Sequence, residues 1–178
     1  MQFNTLANKI FRELARCISE HEGLEVFAVE RAKFEGWVKV ELVRILRRYF
    51  ERVVPEEEGI DVVAGEWAIE IKTINTNYTC PLVKKKHRPI TKNVKEVLED
   101  IKKLKNKTRY KNKVVFFIAF PLPENAMDIW KDKHLSKIQI RLKRLLSYRF
   151  RFKNNEPGIM YLGPVSYTHL TLPTTERV

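Results

Sequence analysis

Hydrophobic residues recur every three or four positions in three segments of the chain, residues 4–20, 35–53 and 91–104. This spacing places them on one face of a helix, so we predict an amphipathic helix in each segment. Thr91 is expected to cap the third helix. A weaker helical pattern, interrupted by basic residues, occupies the second half of residues 124–146.

Short apolar runs with other spacings predict strands. Residues 60–63 and 67–73 are joined by a tight turn and are typical of a β-hairpin. Residues 113–120 are almost entirely apolar, which indicates a strand buried on both faces. Shorter strands are expected at residues 25–30 and, at an edge of the sheet, at residues 158–162. This order of elements indicates a mixed β-sheet covered by helices, in an α/β or α+β domain.

Length and composition narrow the class of protein. A chain of 178 residues corresponds to one domain. The longest apolar run, seven residues at positions 114–120, is far shorter than the ~20 that a membrane helix needs. The N-terminal residues have no secretory pattern, and two cysteines are too few for a disulfide framework. We therefore expect a cytoplasmic protein with no membrane partner.

The charge points to a polyanionic partner. Lys and Arg total 34 against 22 Asp and Glu, a net charge of +12. Nucleic acid is the expected partner, although an acidic membrane surface also attracts such a charge. Within the Lys-rich segment, Lys84, Lys85, Lys86 and Arg88 form a loop that follows the hairpin. These four residues are candidate phosphate contacts, and the alternative is an ordinary solvated surface.

Three polar residues interrupt the hairpin. Glu70 and Lys72 are two positions apart and share one face of their strand, and Asp61 lies on the neighbouring strand. Two adjacent carboxylates repel each other unless a cation lies between them, and their oxygens suit Mg²⁺ or Mn²⁺. The alternative is a solvated strand face, with an ion pair worth about 0.2–1 kcal/mol.

This arrangement resembles the PD-(D/E)XK nuclease superfamily, with Asp61 as the first carboxylate, Glu70 as the second and Lys72 as the lysine of its motif. The resemblance covers residues 35–120 and implies a restriction-endonuclease-like mixed β-sheet flanked by helices. It also implies that Asp61, Glu70 and the carbonyl of Ile71 bind Mg²⁺ (or Mn²⁺), and that Lys72 orients or helps to deprotonate the attacking water.

Members of this superfamily add a glutamate from the preceding helix. Glu41 lies at the margin of the apolar stripe and is our preferred candidate, and Glu35 at the helix start is the alternative. The chain departs from the family pattern in two places. Ile60 replaces the proline before Asp61, and the strand expected before it is poorly defined in residues 51–55.

We therefore expect a metal-dependent endonuclease that hydrolyses phosphodiester bonds, with DNA as the expected substrate. The alternative is a non-catalytic, basic nucleic-acid-binding domain. Nucleases of this kind often act as dimers, so a homodimer is an option that no residue in the chain decides.

The C-terminal sequence has a different origin in our interpretation. Residues 165–174, VSYTHLTLPT, resemble the translation of an adapter used in sequencing libraries. We therefore expect one nuclease-like domain over residues 1–164, followed by a non-native tail over residues 165–178.

Overall fold

The computed structural model describes residues 1–85 and 89–166. The helices in this part of the chain are α1 (Phe3–Glu20), α2 (Glu22–Glu30), α3 (Glu35–Leu46), α4 (Ile90–Lys105), α5 (Met127–Trp130) and α6 (Ser136–Gln139). A 3-10 turn, Glu124–Ala126, precedes α5, and a π-helical turn, Lys131–Leu135, joins α5 to α6. No helix among the described residues is both long enough and apolar enough to cross a bilayer.

The strands form one mixed sheet. They are β1 (Val53–Glu57), β2 (Ile60–Ala64), β3 (Trp67–Asn75), β4 (Asn112–Phe120), β5 (Leu146–Arg151) and β6 (Pro157–Pro164). Their order across the sheet is β1-β2-β3-β4-β6-β5. β3 and β4 are parallel and are connected through α4, whereas all other neighbouring strands are antiparallel. The fold is therefore α/β.

Each face of the sheet covers its own hydrophobic core. Trp67, Ile69 and Ile71 of β3 pack in one core with α1 and α3, whereas Ala68 and Ile74 pack in the other with α4. Because side chains alternate along a strand, Glu70 and Lys72 share the face of Ala68 and Ile74 and project toward α4. This alternation confirms the predicted hairpin and places two charged β3 side chains beneath a helix.

Residues 25–30 form part of α2, so the prediction of a strand there is wrong. The helix buries Leu24 and Ala28, which are four positions apart, and its other apolar side chains are at least partly exposed. The alternation of apolar and polar residues at positions 25–30 therefore does not correspond to a strand. His21 Nδ1 accepts the first backbone N–H groups and caps this helix.

The C-terminal region also differs from the prediction. Residues 124–139 are largely helical, so the helix predicted in the second half of residues 124–146 is present only as far as Gln139, and β5 begins at Leu146. In β5, Phe150 is buried between the exposed Arg149 and Arg151. The strand predicted at residues 158–162 is part of β6, which lies inside the sheet and not at an edge, because β5 pairs with its outer side.

Three smaller predictions need adjustment. Pro89, and not Thr91, precedes the first turn of α4, and no side chain caps it. The second predicted helix ends at Leu46, before residue 53. The strand that was poorly defined in residues 51–55 is present as β1, where Val53 pairs with Ala64.

Of the expected tail, the structure describes Val165 and Ser166. Val165 is buried, forms a bridge with Leu142, and donates its N–H to the carbonyl of Lys113. These contacts attach it to the sheet. Residues 167–178 lie outside the described residues.

A buried arginine holds the connection after β3. Arg31 ends α2 in the left-handed conformation, at a φ of 52°. Its guanidinium donates to the carbonyl oxygens of Thr76 at 2.5 Å, Tyr78 at 2.7 Å and Lys84 at 2.9 Å. The Asn75 amide in turn donates to the Arg31 carbonyl at 2.6 Å. One side chain therefore fixes the backbone that leads from the sheet toward the basic loop.

Candidate active site

The turn between β2 and β3 sets the register of the site. Gly65 has a φ of +56°, a left-handed conformation that glycine adopts without steric cost. Val62 pairs with Ile69, so Asp61 lies beside Glu70 at the next position along the strands. The Ile71 N–H donates to Asp61 Oδ2 at 2.8 Å, which fixes the Asp61 carboxylate against β3.

The two carboxyl groups lie side by side on the hairpin, and each shifts the pKa of the other. Glu70 is only 2% exposed, and burial together with the neighbouring Asp61 raises its pKa to about 8, against an opposing effect of Lys103. Burial also acts against ionisation of Asp61. Hydrogen bonds from Glu70, the Ile71 N–H and Lys39 outweigh it and lower the pKa of Asp61. At neutral pH, Glu70 therefore carries a proton and Asp61 is ionised.

An ammonium group accompanies each carboxylate. Lys39 Nζ, from α3, lies 2.9 Å from Asp61 Oδ1. Lys103 Nζ, from α4, lies 2.5 Å from Glu70 Oε1 and donates to the Gly59 carbonyl at 2.9 Å. Helices from both faces of the sheet thus supply positive charge to one carboxylate pair.

Lys72 lies on the same face of β3 as Glu70 and is held by α4. Its Nζ is 3.5 Å from Asp100 Oδ2. Burial lowers the pKa of Lys72, but the surrounding carboxylates, with Asp100 and Glu35 the strongest, raise it above its ordinary value. Burial in turn raises the pKa of Asp100. Lys72 is therefore a charged ammonium at neutral pH.

The two candidate glutamates of α3, Glu35 and Glu41, have different contacts. Glu35 Oε1 accepts the backbone N–H of Thr73 at 2.9 Å and its hydroxyl at 3.2 Å, so this carboxylate lies against β3. Glu41 instead accepts Arg44 Nε at 2.7 Å, and Arg44 also lies 3.2 Å from Cys17 Sγ of α1. The preferred candidate thus points toward α1, whereas the alternative reaches the strand that carries Lys72.

The basic loop is described only in part. Lys84 forms an ion pair with Glu30, and its N–H donates to the Val29 carbonyl at 2.9 Å. Lys85 is exposed. Lys86 and Arg88 lie outside the described residues.

Sequence reasoning missed three charged neighbours of the carboxylate pair, namely Lys39, Asp100 and Lys103. A signal for the last two was present, because Asp100 and Lys103 flank the buried Ile101 and lie beside the apolar stripe of α4. Charged residues at the margin of a buried stripe need a partner in the sheet. Lys39 carried no such signal.

The described residues contain no group of three or more His, Cys, Asp or Glu side chains arranged to hold a metal ion. The chain matches no protein-family model, and no curated protein or solved structure is significantly similar to it. The functional argument therefore rests on the residues and geometry of the site.

Proposed function

We propose that this protein is a metal-dependent nuclease that hydrolyses phosphodiester bonds in DNA. The observation that carries the proposal is the register of the β2–β3 hairpin, which places Asp61 beside the buried Glu70, with the Asp61 carboxylate held by the Ile71 N–H. Two carboxylates that share a proton offer hard oxygen ligands for which a divalent cation competes. This donor set fits Mg²⁺ or Mn²⁺.

Asp61, Glu70 and the Ile71 carbonyl would hold the ion. When bound, the ion stabilises charge on the phosphate and lowers the pKa of a coordinated water. Lys72 is charged, so it stabilises negative charge and orients the attacking water instead of accepting its proton. Asp100 positions Lys72 through their ion pair.

Glu35 is the better candidate for the helix carboxylate, because it contacts Thr73 on the strand that carries the lysine. The order of elements also supports the proposal. α3, β1, β2, β3, α4 and β4 follow one another as the family resemblance implies, and β1 supplies the strand that the sequence left undefined.

A cleavage assay tests the proposal. Plasmid, single-stranded DNA and RNA are incubated with the full chain in Mg²⁺, Mn²⁺ or chelator. We expect metal-dependent cleavage of DNA, lost by about 10³-fold or more in Asp61→Ala, while salt-sensitive DNA binding persists. Exposed Asp128→Ala serves as the matched control. Cleavage that survives in Asp61→Ala, or that persists in chelator, would contradict the mechanism.

A second function, metal-independent nucleic-acid binding, is favoured by one observation. Lys39 and Lys103 already contact the two carboxyl groups, as expected of a site that holds no metal ion. This function predicts binding that weakens steeply with salt and no turnover with either metal. It also predicts that Mn²⁺ does not raise the Tm, whereas a site that binds Mn²⁺ at 100 times its Kd gains about 2.7 kcal/mol.

A further inference from the structure

A second concave site lies at the opposite end of the sheet from the β2–β3 turn. It is a cavity of about 720 Å³ between the segment after β3, the segment after β4 and the β5–β6 hairpin. Leu82, Leu122, Met127 and Ile159 contribute apolar walls. This volume is within the range of small-molecule sites and accommodates a nucleotide.

A buried carboxylate lines this cavity. Glu156 is only 5% exposed, and its Oε2 has no hydrogen-bond partner among the described residues. The adjacent Cys80 thiol is also buried. Burial, the charge of Glu156 and a hydrogen bond between the two side chains raise the pKa of this thiol to about 11, and Oε2 remains the carboxylate oxygen without a partner among the described residues. A buried acceptor without a donor is costly, so a ligand that supplies an N–H group would be favoured here.

The rim of the cavity is basic. Arg149 and Arg151 extend from β5, the edge strand of the sheet. Arg149 forms an ion pair with Glu124, and Arg151 donates to the Asn155 carbonyl at 2.8 Å. Both side chains are exposed at the mouth and retain N–H donors for an anion. The site therefore combines apolar walls, one buried acceptor and cationic groups at its rim.

We propose that this cavity binds an unpaired guanine base of a nucleic-acid strand, with Glu156 accepting N–H donors from the base and Arg149 and Arg151 contacting its phosphates. The inference deepens the proposed function and rests on nucleic acid being the substrate. A free amine would satisfy Glu156 but would be repelled by the arginines, whereas a nucleotide satisfies both groups.

The preference for guanine follows from its hydrogen-bonding edge. The ring N1–H and the exocyclic amino group are neighbouring donors, which suit a carboxylate. The N3–H of thymine lies between two carbonyl oxygens that a carboxylate repels. Single-stranded recognition of this kind reads unstacked bases on their Watson–Crick edges. Glu156 would therefore select the base, whereas the arginines bind any strand.

The test measures binding of the full chain to labelled oligothymidine carrying one central guanine, adenine, cytosine or thymine. Fluorescence anisotropy is recorded in chelator, so that no cleavage occurs. We expect the guanine strand to bind about tenfold more tightly than the thymine strand, and Glu156→Gln to remove that ratio. Arg151→Gln should weaken all four strands and lower the salt slope by about one. Exposed Arg12→Gln, on α1, is the matched control.

Equal binding of the four strands by wild type, or a guanine preference that survives in a Glu156→Gln variant with unchanged Tm, would overturn the inference. If Glu156→Gln fails to fold, the phosphate contacts are tested by Arg151→Gln alone, and unchanged affinity in that variant overturns the proposal. Calorimetry with guanosine monophosphate tests whether the cavity binds a free nucleotide instead of a base within a strand. If the protein binds the mononucleotide but shows no guanine preference among the strands, the proposal that the ligand is a nucleic-acid strand is overturned.

Failure of this inference is distinguishable from failure of the nuclease proposal. DNA cleavage without a preference that depends on Glu156 would remove only the base pocket. A guanine preference that depends on Glu156, in a protein that cleaves nothing, would remove only the nuclease.

Discussion

The β2–β3 and β5–β6 hairpins each contain a buried glutamate, and the two glutamates differ in their charged neighbours. In the first, Glu70 is buried but lies between Asp61 and Lys103, so its charge state is set by close neighbours. In the second, Glu156 is buried with an oxygen that has no hydrogen-bond partner among the described residues. The difference is the ammonium of Lys103 beside Glu70, because no ion pair among the described residues involves Glu156.

The surroundings explain this difference. The first hairpin lies between α3 and α4, and both helices contribute lysines to it. The second forms the edge of the sheet, where its arginines face outward. Position within the sheet therefore decides whether a helix supplies an ammonium to the buried carboxyl group.

The largest expected effect comes from removing the ammonium on the first hairpin. Lys72→Ala should reduce metal-dependent cleavage by about 10²–10⁴-fold, because Lys72 orients the attacking water and stabilises its charge. Single-turnover cleavage rates measure the loss, with exposed Lys137→Ala as the control. Equal rates in the two variants would show that charge on β3 has no role in the chemistry.

The next effect distinguishes the two helix glutamates. Glu35→Gln should reduce the cleavage rate by about 10-fold or more, since Glu35 lies against β3, whereas Glu41→Gln should change it little. The two variants lie on the same helix, α3, and remove the same charge. A larger loss in Glu41→Gln would restore Glu41 as the helix carboxylate.

The third effect is on stability. Glu70 keeps its proton in the folded state to a pKa of about 8, whereas its ordinary value is 4.5. The unfolded state therefore binds fewer protons across this interval, and the free energy of unfolding falls as pH rises from about 4.5 to 8. Glu70→Gln should abolish this loss.

The stabilisation by Glu70→Gln relative to wild type should be larger at pH 8 than at pH 4, by on the order of a few kcal/mol, because only the wild type loses stability as Glu70 ionises in the unfolded state over this interval. Denaturant unfolding at both pH values measures the difference. Glu51→Gln, an exposed change with the same loss of charge, is the control. A pH-independent difference would place Glu70 outside the coupled pair.

The smallest effect tests the second hairpin. A Cβ at Gly158 would lie 2.4 Å from the Phe150 ring, so Gly158→Ala should destabilise the protein by about 1 kcal/mol. At Gly36, in α3, no atom lies within 4 Å of an added Cβ. Gly36→Ala should therefore stabilise the protein by about 0.5–1 kcal/mol. Thermal unfolding of the two variants measures both effects. Equal changes in Tm would show that the Phe150 ring can move away from the added Cβ.

Much of the first hairpin could be predicted from sequence because its alternation, its turn and its polar residues are local signals. The second hairpin could not be assigned correctly in the same way. β5 alternates Leu146, Tyr148 and Phe150 with polar residues, yet Leu146 was assigned to a helix and no strand was predicted there. The register that brings Asp61 to Glu70 followed from the turn, but the lysines of α3 and α4 reach the site only through tertiary packing.

The guanidinium of Arg31 has a consequence for how this chain can change over time. Three carbonyl groups from residues 76–84 accept hydrogen bonds from one planar guanidinium. The fixed geometry of its N–H donors therefore sets the distances between these carbonyl groups. Lysine cannot reproduce that geometry. In related chains, insertions and deletions should therefore occur after Lys84, and not within residues 76–84, whose carbonyl groups bind Arg31. The sequence of the basic loop can then vary while the position of its first residue stays fixed.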